Sequence, residues 1–243
     1  MKNFLIAGAL LLTLAFAPGA ANSEVKIQWF GQSCFLISSP GGLKILTDPF
    51  NPELGYPMPE LAPDAVLISH EHFDHNYIQM AKGNPRIFHG LDKTGGWSKV
   101  DATVKDVRIY SVNAYHFDNP KDAQRGKNAI FVMEMPAMRL AHLGDVGRAL
   151  TEDQIKQIGK IDVLFIPVGG TYTVDAKAAD AIIGRLNPRI IFPMHYKTAA
   201  ISLPLATVDQ FLAGKKNVKK IAGNIYVISK LPKDQEIIVM DYK

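Results

Sequence analysis

The chain has 243 residues, 47% of them hydrophobic and 21% charged, which is enough to bury a full core and is ordinary for one compact domain. Its formal charge of +4 comes from lysines and arginines scattered along the chain, without an arginine-rich run or a basic helix face, which argues against a nucleic-acid partner. The lone cysteine, Cys34, has no partner for an internal disulfide and reads as a small buried hydrophobe.

The first residues differ in composition from the rest. Lys2 precedes the apolar run "FLIAGALLLTLAFA" and the small-residue stretch "PGAANSE", the layout of a secretory signal peptide over residues 1–23, cleaved after Ala21 or Ser23. The apolar run is shorter than the roughly 20 residues that span a bilayer, so no permanent membrane anchor is expected. A mature domain over residues 24–243 is then expected to work in the periplasm or outside the cell.

Short β-type segments come next. "VKIQWFG", "SCFLIS" and "LKILTD" read as an antiparallel meander, and residues 51–63, with four prolines, as a shaped loop. "DAVLIS" is a buried strand that runs into a histidine cluster. "RIFHG" and "VRIYSVNAYH" are strand-like, and "NAIFVMEM" with "AMRLAHLGD" forms a hairpin turning at Pro136-Ala137. Thr151 and Gln154 make a capping box that opens the helix "TEDQIKQIG", which stops at Gly159. Strand then alternates with helix through "IDVLFIPVGG", "VDAKAADAIIGRL", "RIIFPMHY" and "TVDQFLAG", and "NIYVIS" and "EIIVM" return to strand. So many short strands with few helices predict an α/β architecture in which helices cover at least two sheets.

The stretch "SHEHFDHN" puts His70, His72, Asp74 and His75 within six residues. Imidazoles and carboxylates gathered this way suit a metal site. A regular helix would send His70 and Asp74 to nearly the opposite face from His72 and His75, so a tight turn leaving a strand is expected, with a helix starting only after Asp74 or His75. The zinc-protease pattern His-Glu-x-x-His fails because Asp74 stands where its second histidine should be, which moves Glu71 to the surface or to a supporting position. His116, Asp145 and His195 each also fall at the end of an apolar strand-like run, where scaffolds place reactive groups.

The pattern His70-x-His72-x-Asp74-His75 resembles the signature of the metallo-β-lactamase superfamily, and the resemblance covers most of the mature chain. His116 in "NAYHFD", Asp145 in "HLGD" and His195 in "FPMHY" are similar to that family's later ligands in order and in strand-end position. "HLGD", "PVGGTYTVD" and "PMHY" look most like the branch of ascorbate-6-phosphate-lactonase-like and uncharacterised metal-dependent hydrolases. The resemblance implies a four-layer αβ/βα sandwich with the site at one edge between two sheets. It also implies that His70, His72 and His116 serve one metal, that Asp74, His75 and His195 serve another, and that Asp145 bridges them.

The resemblance therefore implies a dinuclear hydrolase, with Asp74 and Asp145 at its catalytic centre, that turns a metal-bridging hydroxide on a small ester or lactone. Histidines with a bridging carboxylate suit Zn²⁺ first and Mn²⁺ next. The expected partner is a small-molecule substrate, and the relatives it resembles leave a homo-oligomer open. Two rivals stand beside this reading: a phosphodiesterase or nuclease of the same superfamily, and a non-catalytic metal-binding domain. The first lacks a basic patch to grip nucleic acid, and the complete ligand set opposes the second.

Other polar residues have blander readings. His142 is expected to be buried, orienting a ligand by a hydrogen bond, and His89 has no partner motif. Asp175 reads as the cap of a helix after Gly169-Gly170, with Thr171, Tyr172 and Thr173 divided between a plain strand end and substrate contact. Tyr196 is expected to pack rather than to donate to an oxyanion. Trp29, Trp97 and the loop Tyr56-Pro57-Met58-Pro59 are candidates for a substrate wall or for packing.

Overall fold

The short apolar strands assemble into two sheets in the computed structural model, which describes residues 24–116, 126–136 and 138–243. The expected signal peptide over residues 1–23 lies outside the described residues. Among the described residues, no helix is long and apolar enough to cross a membrane.

The chain opens with β1 (Val25–Gly31), β2 (Cys34–Ser38) and β3 (Lys44–Thr47), paired antiparallel as the expected meander. β4 (Ala65–Ile68) and β5 (Arg86–His89) then add parallel to β3. β6 (Asp101–Val104), β7 (Val107–Tyr115), β8 (Lys127–Glu134) and β9 (Arg139–His142) form an antiparallel run, and the β8–β9 hairpin turns where expected, with Ala137 outside the described residues. α1 (Glu152–Ile158), β10 (Val163–Pro167), α2 (Ala176–Leu186), β11 (Ile190–Met194) and α3 (Val208–Leu212) alternate, and β12 (Val218–Ile221), β13 (Ile225–Ile228) and β14 (Glu236–Met240) close the chain. One sheet has six strands in the order β13-β1-β2-β3-β4-β5, and the other has eight in the order β12-β14-β11-β10-β9-β8-β7-β6. β6 and β12 carry exposed and half-buried residues and no buried ones, so their apolar pattern is too weak to read.

The sheets face each other across a core in which Phe35 of β2 meets Phe165 of β10 at 4.6 Å between ring centroids, and Phe165 stacks on Phe192 of β11 at 5.1 Å. β4 shows how period-2 alternation builds layers: Ala65 and Leu67 join this core, whereas Val66 and Ile68 join a second cluster on the other face with Cys34, Leu46, Phe50 and Met80. The outer layer on the second sheet is helical. On the first sheet it is made by the loop and 3₁₀ turn at Pro52–Leu54, the 3₁₀ turn at Ile78–Met80, and the segment holding Ile201 and Leu205. Cys34 is buried in that cluster with its Sγ 3.9 Å from the Met80 sulfur, and burial pushes its thiol up, away from a reactive thiolate.

Both capping expectations hold. Thr151 and Gln154 form the reciprocal capping box of α1, and the Asp175 carboxylate accepts from the Ala178 N–H at 2.8 Å to open α2. No α-helix begins after Asp74 or His75, however. The chain makes a turn closed by the His75 N–H donating to the His72 carbonyl at 2.9 Å, then only the 3₁₀ turn at Ile78–Met80. The physical reason lies in the backbone that follows: the Tyr77 N–H donates to the Pro49 carbonyl at 2.8 Å and the Lys82 N–H to the Leu61 carbonyl at 2.7 Å, so this segment is tied to neighbouring loops instead of bonding to itself as a helix.

Candidate metal centre

Four strand ends build the site. The turn after β4 presents His70, His72, Asp74 and His75, the end of β7 presents His116, the end of β9 leads to Asp145, and the end of β11 leads to His195. These seven residues form two groups. His70, His72 and His116 bring one ligand atom each within 4.8 Å of one another, as do Asp74, His75, Asp145 and His195. Six of the seven are buried, and His72 is half-buried, so the first group is the one that opens outward.

Asp145 joins the groups. Its Oδ2 lies 3.1 Å from His75 Nε2, 3.1 Å from His195 Nε2 and 3.2 Å from His116 Nε2, with His70 Nε2 at 3.8 Å. The Asp74 Oδ2 stands 3.4 Å from His75 Nε2 and 3.8 Å from His195 Nε2. Close approach at Asp145 is possible because Gly144 sits at φ +53°, where a Cβ would lie 2.3 Å from Asn128 Oδ1 and 2.6 Å from Ser69 Cβ. The Asn128 Oδ1 in turn accepts from the Asp145 N–H at 3.1 Å, fixing the loop that carries the carboxylate.

Behind the turn stands Asp48, at the end of β3. Its Oδ1 accepts from the Ser69 N–H at 2.7 Å, and its Oδ2 lies 2.7 Å from Ser69 Oγ and 2.9 Å from His75 Nδ1. A carboxylate only accepts, so the Ser69 hydroxyl donates to it and is left to accept from His70 Nδ1 at 3.0 Å. One carboxylate therefore holds the Nδ1 protons of two histidines and turns both Nε2 atoms into the cluster. Neither Asp48 nor Ser69 is expected from the sequence. The available signal is the polar pair Thr47-Asp48 closing an otherwise apolar strand.

Charge explains the electrostatics. Burial favours the neutral forms of His70 and His72, lowering both and taking His72 to about 4, and neighbouring histidines push the same way. Burial also opposes charge on His75 and His195, but Asp145 and Asp74 outweigh it, raising His75 and bringing His195 to about 9. The same pairs overcome burial at Asp74 and Asp145 and hold both carboxylates below their usual range. His75 Nε2 and Asp145 Oδ1 are nevertheless buried without a hydrogen-bond partner. Convergent imidazoles, two ionised carboxylates and orphaned buried donor atoms fit divalent cations, which supply the charge and the bonds that the protein alone leaves unmet.

Residues 26–195, from β1 to the last histidine of the site, match the family model described as the β-lactamase superfamily domain. A UPF0173 metal-dependent hydrolase of Anaeromyxobacter sp. (strain K) is 31% identical over 241 residues, spanning 83% of this chain and 86% of that protein. The chain belongs to the metallo-β-lactamase superfamily. The crystal structure of a candidate Zn-dependent hydrolase of this superfamily from Thermotoga maritima superposes with a TM-score of 0.73 at 38% identity, covering 89% of this chain and 98% of that one. The structure of a candidate metal-dependent hydrolase from Parabacteroides distasonis, at 19% identity and a TM-score of 0.63, shares the fold over 90% of this chain and 93% of its own. The protein is thus a metal-dependent hydrolase of the metallo-β-lactamase superfamily.

Around this candidate centre, the other polar residues sort themselves. His142 is buried, with Nε2 donating to the Ser33 carbonyl at 2.9 Å and Nδ1 accepting from the Gly144 N–H at 3.2 Å, so it braces the loops beside the site rather than bonding a candidate ligand directly. Glu71 is at the surface, where it meets His89 Nδ1 at 2.8 Å, giving His89 a partner in space that its sequence context does not show. Tyr196 is packed, 5.3 Å from Trp29 between ring centroids, and burial raises its phenol. Trp29 and Tyr56 belong to the core, and Trp97 donates to the Ala114 and Asn128 carbonyls. Met58 and Tyr172 stay exposed, and the Thr171 hydroxyl donates to the Pro204 carbonyl at 2.7 Å.

Proposed function

We propose that the protein is an exported dinuclear hydrolase of small esters or lactones, with one ion at His70, His72 and His116, a second at Asp74, His75 and His195, and Asp145 shared between them. The observation that carries this reading is the position of Asp145 Oδ2, within 3.2 Å of His116 from the first group and of His75 and His195 from the second. Two such ions would acidify a water towards neutral pH and polarise the attacked oxygen. Zn²⁺ suits the five imidazoles best, with Mn²⁺ the next choice.

The protein's own residues orient and insulate this chemistry. Asp48 fixes the histidine tautomers, Asn128 and Gly144 deliver Asp145, and the buried setting strengthens each charge interaction. A cavity of about 830 Å³ opens beside His70 and His72, lined mainly by polar side chains including Glu71, His89, Asp92, Lys93, Thr94 and Lys127. That volume supports a small-molecule substrate, with these charged and polar side chains placed to orient its polar groups. The leader-like residues 1–23 support export to the periplasm or beyond.

The test is a hydrolysis screen over lactones, simple esters, thioesters and phosphodiesters with the wild type and Asp145→Ala. Turnover of a lactone or ester that Asp145→Ala abolishes supports the reading. Equal turnover by the two proteins contradicts it, and cleavage confined to phosphodiesters moves the substrate class to the phosphodiesterase branch.

A further inference from the structure

Gln32 lies in the turn between β1 and β2, outside every ligand group, yet it is completely buried and bonded to both sides of the second group. Its amide Nε2 donates to Asp74 Oδ2 at 2.8 Å. Its main-chain carbonyl accepts from the His195 N–H at 3.2 Å and from the Trp29 indole N–H at 3.1 Å. Asp74 comes after a strand of the first sheet and His195 after a strand of the second, so this one residue ties together two candidate ligands that come from opposite sheets.

Two further observations show that the arrangement is held against a cost. Gln32 has φ +48° and His195 φ +50°, so both ends of the carbonyl–amide bond are non-glycine residues in the left-handed region. Because the carboxylate accepts only, the amide nitrogen must face Asp74 and the amide oxygen must face away, and that Oε1 is buried with no partner. A leucine of similar size would leave no such orphan. A glutamine kept here under strain, with its acceptor unmet, is accounted for by what its donor end does.

We propose that Gln32 is a positioning residue of the second metal-binding group: its amide locks the rotamer of Asp74, and its carbonyl sets the distance at which His195 approaches that carboxylate. It does not touch the reacting atoms. Without the amide, Asp74 is free to rotate off the second ion, while His70, His72 and His116 lose none of their own hydrogen bonds. The consequence is an unequal loss, confined to one of the two ions.

The inference rests on the two-ion reading above, and the experiment separates their failures. Zn²⁺ binding is measured by chelator competition on the full chain for wild type, Gln32→Leu and Gln32→Gly. The glycine variant relieves the left-handed backbone, keeps the carbonyl and removes only the side chain. Both variants are expected to bind the second ion, the one at Asp74, His75 and His195, about tenfold less tightly and to leave the first within twofold, as befits loss of a supporting hydrogen bond to one ligand. The unfolding temperature of the metal-stripped variants is expected to stay near that of the wild type. Second-ion affinity within twofold of wild type in both variants overturns the inference, as does a loss in Gln32→Leu that Gln32→Gly does not share, or an equal loss at both ions. Wild-type protein that takes up fewer than two ions overturns the two-ion reading and this inference with it.

Discussion

Asp48 Oδ2 stands 2.9 Å from His75 Nδ1 and, through the Ser69 hydroxyl, controls His70 as well. Two histidines assigned to different ions thus share one orienting carboxylate, which couples the groups from behind as Asp145 couples them from the front. Asp48→Asn places an N–H or a weaker acceptor where a carboxylate receives three donors, two of them at Oδ2. Metal affinity is expected to fall about 10- to 100-fold at both ions, the usual effect of losing such a partner. Chelator competition with Zn²⁺ or Co²⁺ measures it, and unchanged affinity at either ion removes the shared role.

Metal binding should release protons. His75 and His195 are raised in the metal-free protein, His195 from 6.5 to about 9, so both hold a proton at neutral pH that a cation must displace. Affinity is expected to climb with pH and to level off above about 9. The sign for stability is opposite: the metal-free protein has the full contribution of His195 below about 6.5 and loses it as pH rises through about 9. Calorimetric titration of Zn²⁺ in buffers of different ionisation enthalpy reports the protons, and a binding enthalpy independent of buffer contradicts the assignment.

Gly144 is expected to tolerate no side chain. Gly144→Ala combines a left-handed φ of +53° with a Cβ 2.3 Å from Asn128 Oδ1. Backbone strain of about 1–2 kcal/mol and overpacking of about 1–3 kcal/mol predict a loss of roughly 2–5 kcal/mol in urea denaturation. Because the same residue delivers Asp145, metal uptake should fall too. A stability change under about 0.5 kcal/mol, the scale of an ordinary surface substitution, would show that the loop relaxes freely.

Phe165→Ala tests whether the core and the site are separable. Phe165 is fully buried between Phe35 and Phe192, and its truncation should cost about 3–5 kcal/mol. In protein that remains folded, elemental analysis is expected to find the metal stoichiometry unchanged, since no site residue loses a hydrogen bond.

Much of the candidate site was legible in the sequence because the side-chain types that can hold a metal and their places at the ends of apolar strands are both local features. His70, His72, Asp74 and His75 could be read from one turn, and His116, Asp145 and His195 from their strand ends and order. The supports were not legible. Gln32 and Asp48 act across 42 and 27 residues of chain, on Asp74 and His75 respectively, and the local pattern, a turn glutamine and a polar pair closing an apolar strand, does not say which residue either one supports. The fold divides along the same line. β4 and β10 announce themselves by continuous apolar runs, and α1 by its capping box, whereas β6 and β12 hold their places through neighbouring strands rather than through their own composition.

The most direct test of the two-ion centre is elemental analysis of the purified protein after dialysis against metal-free buffer, beside Asp145→Ala treated in the same way. The wild type is expected to retain about two ions per chain, mainly zinc, and Asp145→Ala about one, because each group keeps three other ligands but the negative charge that lets two cations sit side by side is gone. A wild type that holds one ion or none, or a variant that keeps the full complement, would contradict a centre joined at Asp145.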